Sequence, residues 1–375
     1  MAGLYLHIPF CKQRCSYCDF HFSTSSNQKD KMLEAIKQEL IERKEELKNQ
    51  RFKTIYLGGG TPSLLTPEQI KTLIDCIYEH YPLEKELEIT LEANPDDLSL
   101  DYLISLKNQT PINRLSIGLQ SFEDEELVFM NRAHHQTQSL ECIENAQKVG
   151  FENLSVDLIY GTPGTNTQKW RNALKKVMEF KIPHISAYAL TVEEKTPLNT
   201  WIKQKKTASP NQDLQLEHFK ILREELQKNG YLAYEISNYC LPGFASKHNS
   251  NYWKGIPYLG FGPSAHSYDG KTRSWNVSNN SLYIKAVESK KRDFQRETLS
   301  NTQKANEKIM IGLRSIQGVD LEELWTLLNP KQKVELEKEI DKNQTLLEIK
   351  NGRLIAKEEA LFLLDKICVD LFLDS

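Results

Sequence analysis

A repeated alternation of short β-like segments with longer helical segments constrains the fold of this chain most strongly. Apolar residues alternate with polar ones in six segments, at residues 4–8, 54–57, 88–92, 114–119, 153–159 and 184–190. Between them, segments such as 29–47 and 66–81 repeat apolar residues with helical spacing, and Thr66-Pro67-Glu68-Gln69 is typical of a helix start. Six strand–helix units predict an α/β fold with right-handed crossovers and a parallel sheet. The pattern favours an incomplete (β/α)6 barrel over a doubly wound sheet, without fixing the curvature.

Polar and glycine-rich residues cluster where the predicted strands end. In chain order they are Cys11, Cys15 and Cys18, then Gly58-Gly59-Gly60-Thr61-Pro62, then Glu92, Gln120 and Asp157, and finally Tyr188 with Ala189. Parallel α/β folds bind ligands at the carboxyl ends of their strands. We therefore expect these residues to line one pocket.

The remaining sequence predicts two further units after a barrel at residues 1–230. Residues 231–302 are irregular and aromatic, which predicts an α+β connector. Residues 303–375 combine helical patterns at 303–316, 320–328 and 330–340 with a hairpin that turns at Asn351-Gly352, and a last helix at 357–372. Helices with a short β-hairpin are typical of a winged-helix-like domain.

Charge and hydropathy exclude several classes of partner. The chain has 48 Lys and Arg against 51 Asp and Glu, and residues 301–375 have 11 against 14, so we expect no nucleic-acid partner. Because no apolar run approaches the roughly 18–20 residues of a membrane span, we expect no transmembrane segment, while peripheral membrane contact stays open. Without a secretory signal and with seven cysteines, the chain is predicted to be cytoplasmic with reduced thiols.

Three of the seven cysteines form a C-x3-C-x2-C cluster at Cys11, Cys15 and Cys18. The other four, Cys76, Cys142, Cys240 and Cys368, are scattered and are interpreted as structural. Three clustered thiolates can hold zinc with a fourth ligand such as His7 or His21, or three irons of a [4Fe–4S] cluster. Because zinc sites usually use a second cysteine pair, we favour the cluster with one open iron.

The cysteine spacing resembles that of the radical S-adenosylmethionine (SAM) superfamily, and the Gly58-Gly59-Gly60 turn is similar to its glycine motif. The segments 5–11, 58–62, 116–122 and 157–161 and the C-terminal unit resemble the oxygen-independent coproporphyrinogen oxidase family. This resemblance implies a [4Fe–4S] cluster whose open iron binds SAM. It implies SAM contacts from Tyr5, Gly59, Gly60, Thr61, Glu92, Gln120, Arg132, Asp157, Ala189 and His266.

Within that family, the sequence resembles a haem-chaperone branch more than the oxidases. Oxidases typically carry a fourth cysteine where this chain has Phe20, and only ten residues precede Cys11, where oxidases have an arm that helps to enclose the substrate. The segment His248-Asn249-Ser250-Asn251-Tyr252-Trp253 matches the H-N-x-x-Y-W signature of the haem chaperones. Its imidazole suits axial ligation of haem iron, and its aromatic rings suit a flat macrocycle.

The resemblance therefore predicts a chaperone that binds haem through His248, Tyr252 and Trp253 and transfers it to acceptor proteins. The acceptors are not identified by the sequence, and an electron donor is compatible with the cluster. Whether the chain is an enzyme stays open. Radical decarboxylation of coproporphyrinogen III is the first alternative, and modification of a nucleic acid is the second, which the acidic C-terminal unit disfavours.

Overall fold

The computed structural model of the chain describes residues 1–374, and the centre of the fold is a parallel sheet of six strands. These strands lie side by side in chain order: β1 (Ala2–Ile8), β2 (Phe52–Gly59), β3 (Leu83–Ala93), β4 (Arg114–Gln120), β5 (Asn153–Tyr160) and β6 (His184–Ala189). All five neighbouring pairs are parallel, which confirms the predicted α/β fold with six strands. β1 pairs on its other side with residues 258–261 and β6 with residues 238–240, so hydrogen bonds do not close the barrel.

Helices connect the six strands and cover the sheet. They are α1 (Lys29–Glu42), α2 (Pro67–His80), α3 (Leu100–Gln109), α4 (Asp124–Phe129), α5 (Gln136–Val149), α6 (Thr167–Glu179), α7 (Pro197–Lys203) and α8 (Gln212–Lys228). The predicted capping box is present in α2, where the Thr66 hydroxyl accepts from the Gln69 amide N–H. α1 ends at Glu42 instead of residue 47, and Leu47 has a left-handed φ of 53°, which a continuing helix does not allow.

The connector extends both edges of the same sheet. Its elements are β7 (Leu232–Ala233), β8 (Asn238–Cys240), α9 (Lys247–Trp253), β9 (Tyr258–Phe261), β10 (His266–Tyr268), β11 (Thr272–Asn276), α10 (Asn280–Glu288) and β12 (Phe294–Thr298). The strand order is β12-β11-β10-β9-β1-β2-β3-β4-β5-β6-β8-β7. The predicted boundary at residue 230 therefore falls within one continuous sheet, and the division of the chain into three units stays a prediction.

The C-terminal residues form a small helical unit with a three-stranded sheet. It contains α11 (Asn301–Arg314), β13 (Val319–Asp320), α12 (Leu321–Leu327), α13 (Pro330–Lys342), β14 (Leu347–Lys350), β15 (Arg353–Ala356) and α14 (Leu364–Leu371). The hairpin turns at Asn351 and Gly352, whose positive φ angles of 51° and 74° suit a tight turn. A 3-10 turn at Glu358–Leu363 replaces the first half of the predicted last helix. Leu324, Leu336 and Leu354 belong to an apolar cluster of this unit.

Within residues 1–374, no helix is long and apolar enough to cross a membrane.

Candidate functional site

A cavity of about 450 Å³ opens at the carboxyl ends of the six parallel strands. The predicted site residues that line it are Cys11, Cys15, Cys18, Gly59, Gly60, Thr61, Glu92, Gln120, Arg132, Asp157 and Ala189. The parallel register brings these residues together from segments almost 180 positions apart, as expected for this class of fold. Tyr5 and His266, which were also predicted as SAM contacts, are not among the lining residues.

The three clustered cysteines are half-buried and surround the same space. Thr61 Oγ1 donates to the Cys11 Sγ at 3.5 Å, and Arg132 Nη1 donates to the Cys15 Sγ at 3.3 Å. Burial raises the pKa of the Cys11 and Cys18 thiols to about 11, so an entering metal must displace protons. The four scattered cysteines are buried, in agreement with a structural role.

A single zinc ion would need a fourth ligand beside the three cysteines, and His7 was one predicted candidate. Both ring nitrogens of His7 are within hydrogen-bond distance of other groups, the Tyr5 hydroxyl at 3.1 Å and the His21 carbonyl oxygen at 2.8 Å. His7 is therefore not available as a fourth zinc ligand in this conformation.

The glycine turn after β2 makes a close approach that only glycine allows. The Gly60 amide N–H donates to the Ile8 carbonyl at 2.9 Å, and a Cβ atom at Gly60 would lie 2.7 Å from the Phe10 carbonyl oxygen. Gly59 has a φ of +106°, and a Cβ there would lie 2.6 Å from the His7 ring. The glycines thus bring the turn directly against the segment that carries the cysteines.

Two half-buried carboxyl groups give the cavity its acidic character. Glu92 accepts hydrogen bonds from the Tyr56 hydroxyl at 2.7 Å and from the Gly59 amide at 3.1 Å. Burial raises the pKa of Glu92 to about 7 and the pKa of Asp157 to about 6. Both groups gain from a cationic or hydrogen-bond-donating ligand, which would compensate the cost of ionising them away from water.

Hydrogen bonds orient the Arg132 side chain, and an unusual backbone conformation orients Gln120. The second guanidinium nitrogen of Arg132, Nη2, donates to Asn94 Oδ1 and to the Gly118 carbonyl, both at 2.7 Å. Arg132 Nε is buried without a hydrogen-bond partner within residues 1–374. Gln120 has a left-handed φ of 66° at the last position of β4, where the strand register to β5 also shifts.

The aromatic residues predicted to bind haem lie behind this cavity. His248 is almost fully buried, with its Nδ1 2.8 Å from Thr54 Oγ1 and its Nε2 3.0 Å from the Tyr252 hydroxyl. Its ring stacks on Tyr56 with a centroid distance of 4.9 Å, and burial lowers the pKa of His248 to about 3. The imidazole is thus neutral, but both of its nitrogens are engaged, so axial ligation of iron requires one of these two hydrogen bonds to break.

Glu88 anchors the helix that carries His248. Its buried carboxylate accepts from the backbone amides of Lys247 at 2.9 Å and of His248 at 2.8 Å. A carboxylate at this position satisfies the free amides at the start of α9. Sequence reasoning missed this contact, because Glu88 looked like an ordinary polar position at the start of a strand segment.

The two remaining predicted SAM contacts lie at the edge of this region. The Tyr5 ring is close to Tyr56 and His248, with ring centroid distances of 6.1 and 6.4 Å, and its hydroxyl contacts His7. His266 is exposed and stacks on Trp275 at 5.6 Å.

Sequence reasoning also missed several residues that line the cavity, among them Tyr56 and Asn249. Asn94, in the segment that ends β3, lines the cavity as expected from its position at a strand end.

Comparison of this chain with known protein families and structures agrees with the fold and the cavity. Residues 5–177 match the family model of the radical SAM superfamily. The E. coli coproporphyrinogen III oxidase (HemN) has a TM-score of 0.85 to this chain, covering 99% of this chain and 90% of its own at 23% identity, which shows a shared fold. The chain therefore has a radical SAM fold.

Curated relatives narrow the assignment. The protein named heme chaperone HemW of Lactococcus lactis subsp. lactis is 37% identical over 85% of this chain and 83% of its own length. The protein of the same name in Bacillus subtilis is 37% identical over 85% of both chains. Within the radical SAM superfamily, the chain belongs to the HemW family.

Replacing Gly60 by Ala tests the close approach of the glycine turn. The new Cβ would contact backbone atoms of Phe10, which cannot move like a flexible side chain, so we expect a loss of about 1–3 kcal/mol in the free energy of unfolding. Gly150→Ala is the control, because Gly150 has a positive φ but open space, and it should cost only about 1–2 kcal/mol. After anaerobic reconstitution, iron content should fall in Gly60→Ala alone; equal iron content in both variants would contradict this account.

The pKa of Glu92 predicts a pH-dependent stability of the metal-free protein. The folded-state pKa of about 7 exceeds the ordinary value of 4.5, so the stabilisation from this group is complete below about pH 4.5 and is lost as the pH rises through 7. Urea unfolding between pH 4.5 and 8 should show a loss of roughly 2–4 kcal/mol from this group. Glu92→Gln should remove this contribution to the pH dependence of the free energy of unfolding, whereas the exposed control Glu86→Gln should retain it. Identical slopes in wild type and Glu92→Gln would refute the shift.

Proposed function

We propose that this chain is a haem chaperone that holds a SAM-ligated [4Fe–4S] cluster, binds haem and transfers it to acceptor proteins. One observation carries the proposal: the three cysteines, the glycine turn and two half-buried carboxyl groups meet in one cavity of a chain that is 37% identical to relatives named heme chaperone. The same relatives support haem as the cargo.

The cavity fits the implied cluster and SAM. Cys11, Cys15 and Cys18 would hold three irons, and the fourth iron would then offer open coordination positions to SAM. Arg132 donates a hydrogen bond to Cys15 Sγ, and such a contact stabilises a thiolate ligand. The half-buried Glu92 and Asp157 supply acceptors that match an amino group and ribose hydroxyls.

Specific SAM contacts are proposed for the residues that the family resemblance implied. Those that line the cavity are Gly59, Gly60, Thr61, Glu92, Gln120, Arg132, Asp157 and Ala189. Tyr5 contacts Tyr56 and His7, so it would act on SAM through these neighbours. His266 would have to approach SAM from β10, where its side chain is exposed.

For the haem, we propose His248 as the axial ligand and Tyr252 and Trp253 as apolar contacts. A neutral imidazole is the ligand form that iron needs, and burial keeps His248 neutral. Ligation would break the hydrogen bond between His248 Nε2 and the Tyr252 hydroxyl, and the free energy of iron ligation must exceed this cost.

The haem acceptors and an electron donor are part of this proposal, and their identities follow from neither the fold nor the cavity. We also place the chain in the cytoplasm as part of the proposal.

Oxidation of coproporphyrinogen III is the second candidate, because the oxidase HemN shares the fold over 99% of this chain. Phe20 stands where the oxidases typically carry a fourth cysteine. It lines the cavity beside the cluster cysteines, and 68% of its surface is exposed. The haem chaperone is therefore the preferred function.

Haem titration of the full-length protein, followed at the Soret band, tests the function. We expect saturable binding by the wild type and a markedly weaker, spectrally altered complex for His248→Ala. His80→Ala is the matched control, because His80 lies at the exposed end of α2, and it should bind like wild type. An unchanged affinity and Soret band in His248→Ala would remove His248 from the site. Conversion of coproporphyrinogen III by the reduced holoprotein with SAM would favour the oxidase instead.

Cysteine variants separate the cluster ligands from the structural thiols. Replacing Cys11, Cys15 or Cys18 singly by Ser should abolish the visible cluster absorption after anaerobic reconstitution, because three irons need three thiolates. Cys76→Ser should keep that absorption, since Cys76 is buried in α2 outside the cavity. Full cluster assembly in a variant of the first group would contradict the assignment.

A further inference from the structure

A second large cavity, which we call the rear groove, lies between the connector and the C-terminal unit. It has a volume of about 540 Å³, and its walls come from α9, β9–β11 and α11–α12. Tyr258 pairs with Gly3 at the start of β1, so the rear groove lies at the amino ends of the strands. The cysteine cavity lies at their carboxyl ends, and the lining residues of the two cavities do not overlap.

One wall of the rear groove is a surface of aromatic rings. Tyr252 packs edge-on against Tyr258 with a centroid distance of 4.8 Å, and Tyr258 is 6.5 Å from Tyr268. Trp253 also lines the groove, and its indole N–H is buried without an acceptor among the described residues. A buried donor without a partner is costly, so it favours a ligand that brings an acceptor.

The net charge of the rear groove is opposite in sign to the net charge of the whole chain. Its lining carries five cations and three carboxylates: Lys254, Arg273, Lys304, Lys308 and Arg353, and Glu307, Asp320 and Glu323. The net charge of +2 contrasts with −3 for the whole chain. Arg273, Lys308 and Arg353 form ion pairs with the three carboxylates. Lys254 and Lys304 have no ion-pair partner within residues 1–374, so both are available to an anion.

The rear groove also approaches His248. Tyr252 connects the groove to His248. Its hydroxyl lies 3.0 Å from His248 Nε2, and the residue itself lines the groove. A rotation of the Tyr252 side chain would therefore expose Nε2 towards the groove. In the first turn of α9, Asn249 lines the cysteine cavity, whereas the groove residues Tyr252 and Trp253 lie at the end of the helix.

We infer that the rear groove is the binding site of the haem, with Lys254 and Lys304 holding the two propionates and the aromatic wall contacting the macrocycle. The inference rests on the proposed function and deepens it. It places the cargo at the C-terminal end of α9 and the cluster beyond its first turn, so that haem and SAM would occupy separate cavities. The two propionates carry the two negative charges that match the net charge of the groove.

Charge reversal in the rear groove tests this assignment in the full-length protein. Haem titration of the double variant Lys254→Glu/Lys304→Glu should show a loss of affinity of about tenfold or more, since two charge-assisted contacts become repulsive. Lys254→Arg/Lys304→Arg should retain wild-type affinity. The control pair Lys285→Glu/Lys331→Glu makes the same charge change on exposed positions outside the groove and should have little effect.

Haem dimethyl ester provides an independent probe, because its propionates are uncharged. Wild type and the Glu double variant should bind the ester with similar affinity if the lysines act on the propionates. Iron content after reconstitution and far-UV circular dichroism should match wild type in all variants, which separates loss of the site from misfolding.

The outcomes distinguish the two levels of the proposal. If the wild type binds haem and the Glu double variant binds it as tightly as the control pair does, the assignment of haem to the rear groove is wrong. The proposed haem-chaperone function would then remain intact. Wild type that binds no haem would overturn both. The assignment would be supported if only the Glu double variant loses affinity, and if it does so for haem with free propionates but not for the dimethyl ester.

Discussion

The close approach between the turn after β2 and the segment after β1 is the contact on which the rest of the site depends. The Gly60 amide is bonded to the Ile8 carbonyl, and the backbone of Phe10 occupies the space where a side chain of residue 60 would lie. Cys11 follows directly, so the position of the first proposed cluster ligand is set by backbone contacts rather than by flexible side chains. This rigidity suits a cofactor that must be held at three points.

The helix α9 joins the two halves of the proposed mechanism. Glu88 holds its first turn against β3, and His248 stacks on Tyr56, whose hydroxyl bonds to Glu92 in the cysteine cavity. At the C-terminal end of α9, Tyr252 belongs to the rear groove. A ligand in either cavity would thus contact a neighbour of His248. Coupling between cofactor and cargo would follow if each ligand favours a different position of Tyr252.

Much of the fold was predictable because its signals are local. Strands β1–β6 and the capping box of α2 follow from residue spacing, and the convergence of the cysteines, Glu92 and Asp157 follows from the parallel topology. The pairing of the connector with β1 and β6 was not predictable, because the pairing strands β9 and β8 have only four and three residues, too few to show a period. The buried partners of His248 were also hidden, since Thr54 and Glu88 reach it only through long-range packing.

The central claim is that three thiolates hold a cluster with one iron open to SAM. Electron paramagnetic resonance of the anaerobically reconstituted, reduced protein, recorded with and without SAM and combined with metal analysis, tests it most directly. The account predicts about four irons per chain and a spectrum that changes when SAM is added. Stoichiometric zinc in the anaerobically purified protein, or a cluster spectrum that SAM leaves unchanged, would contradict it.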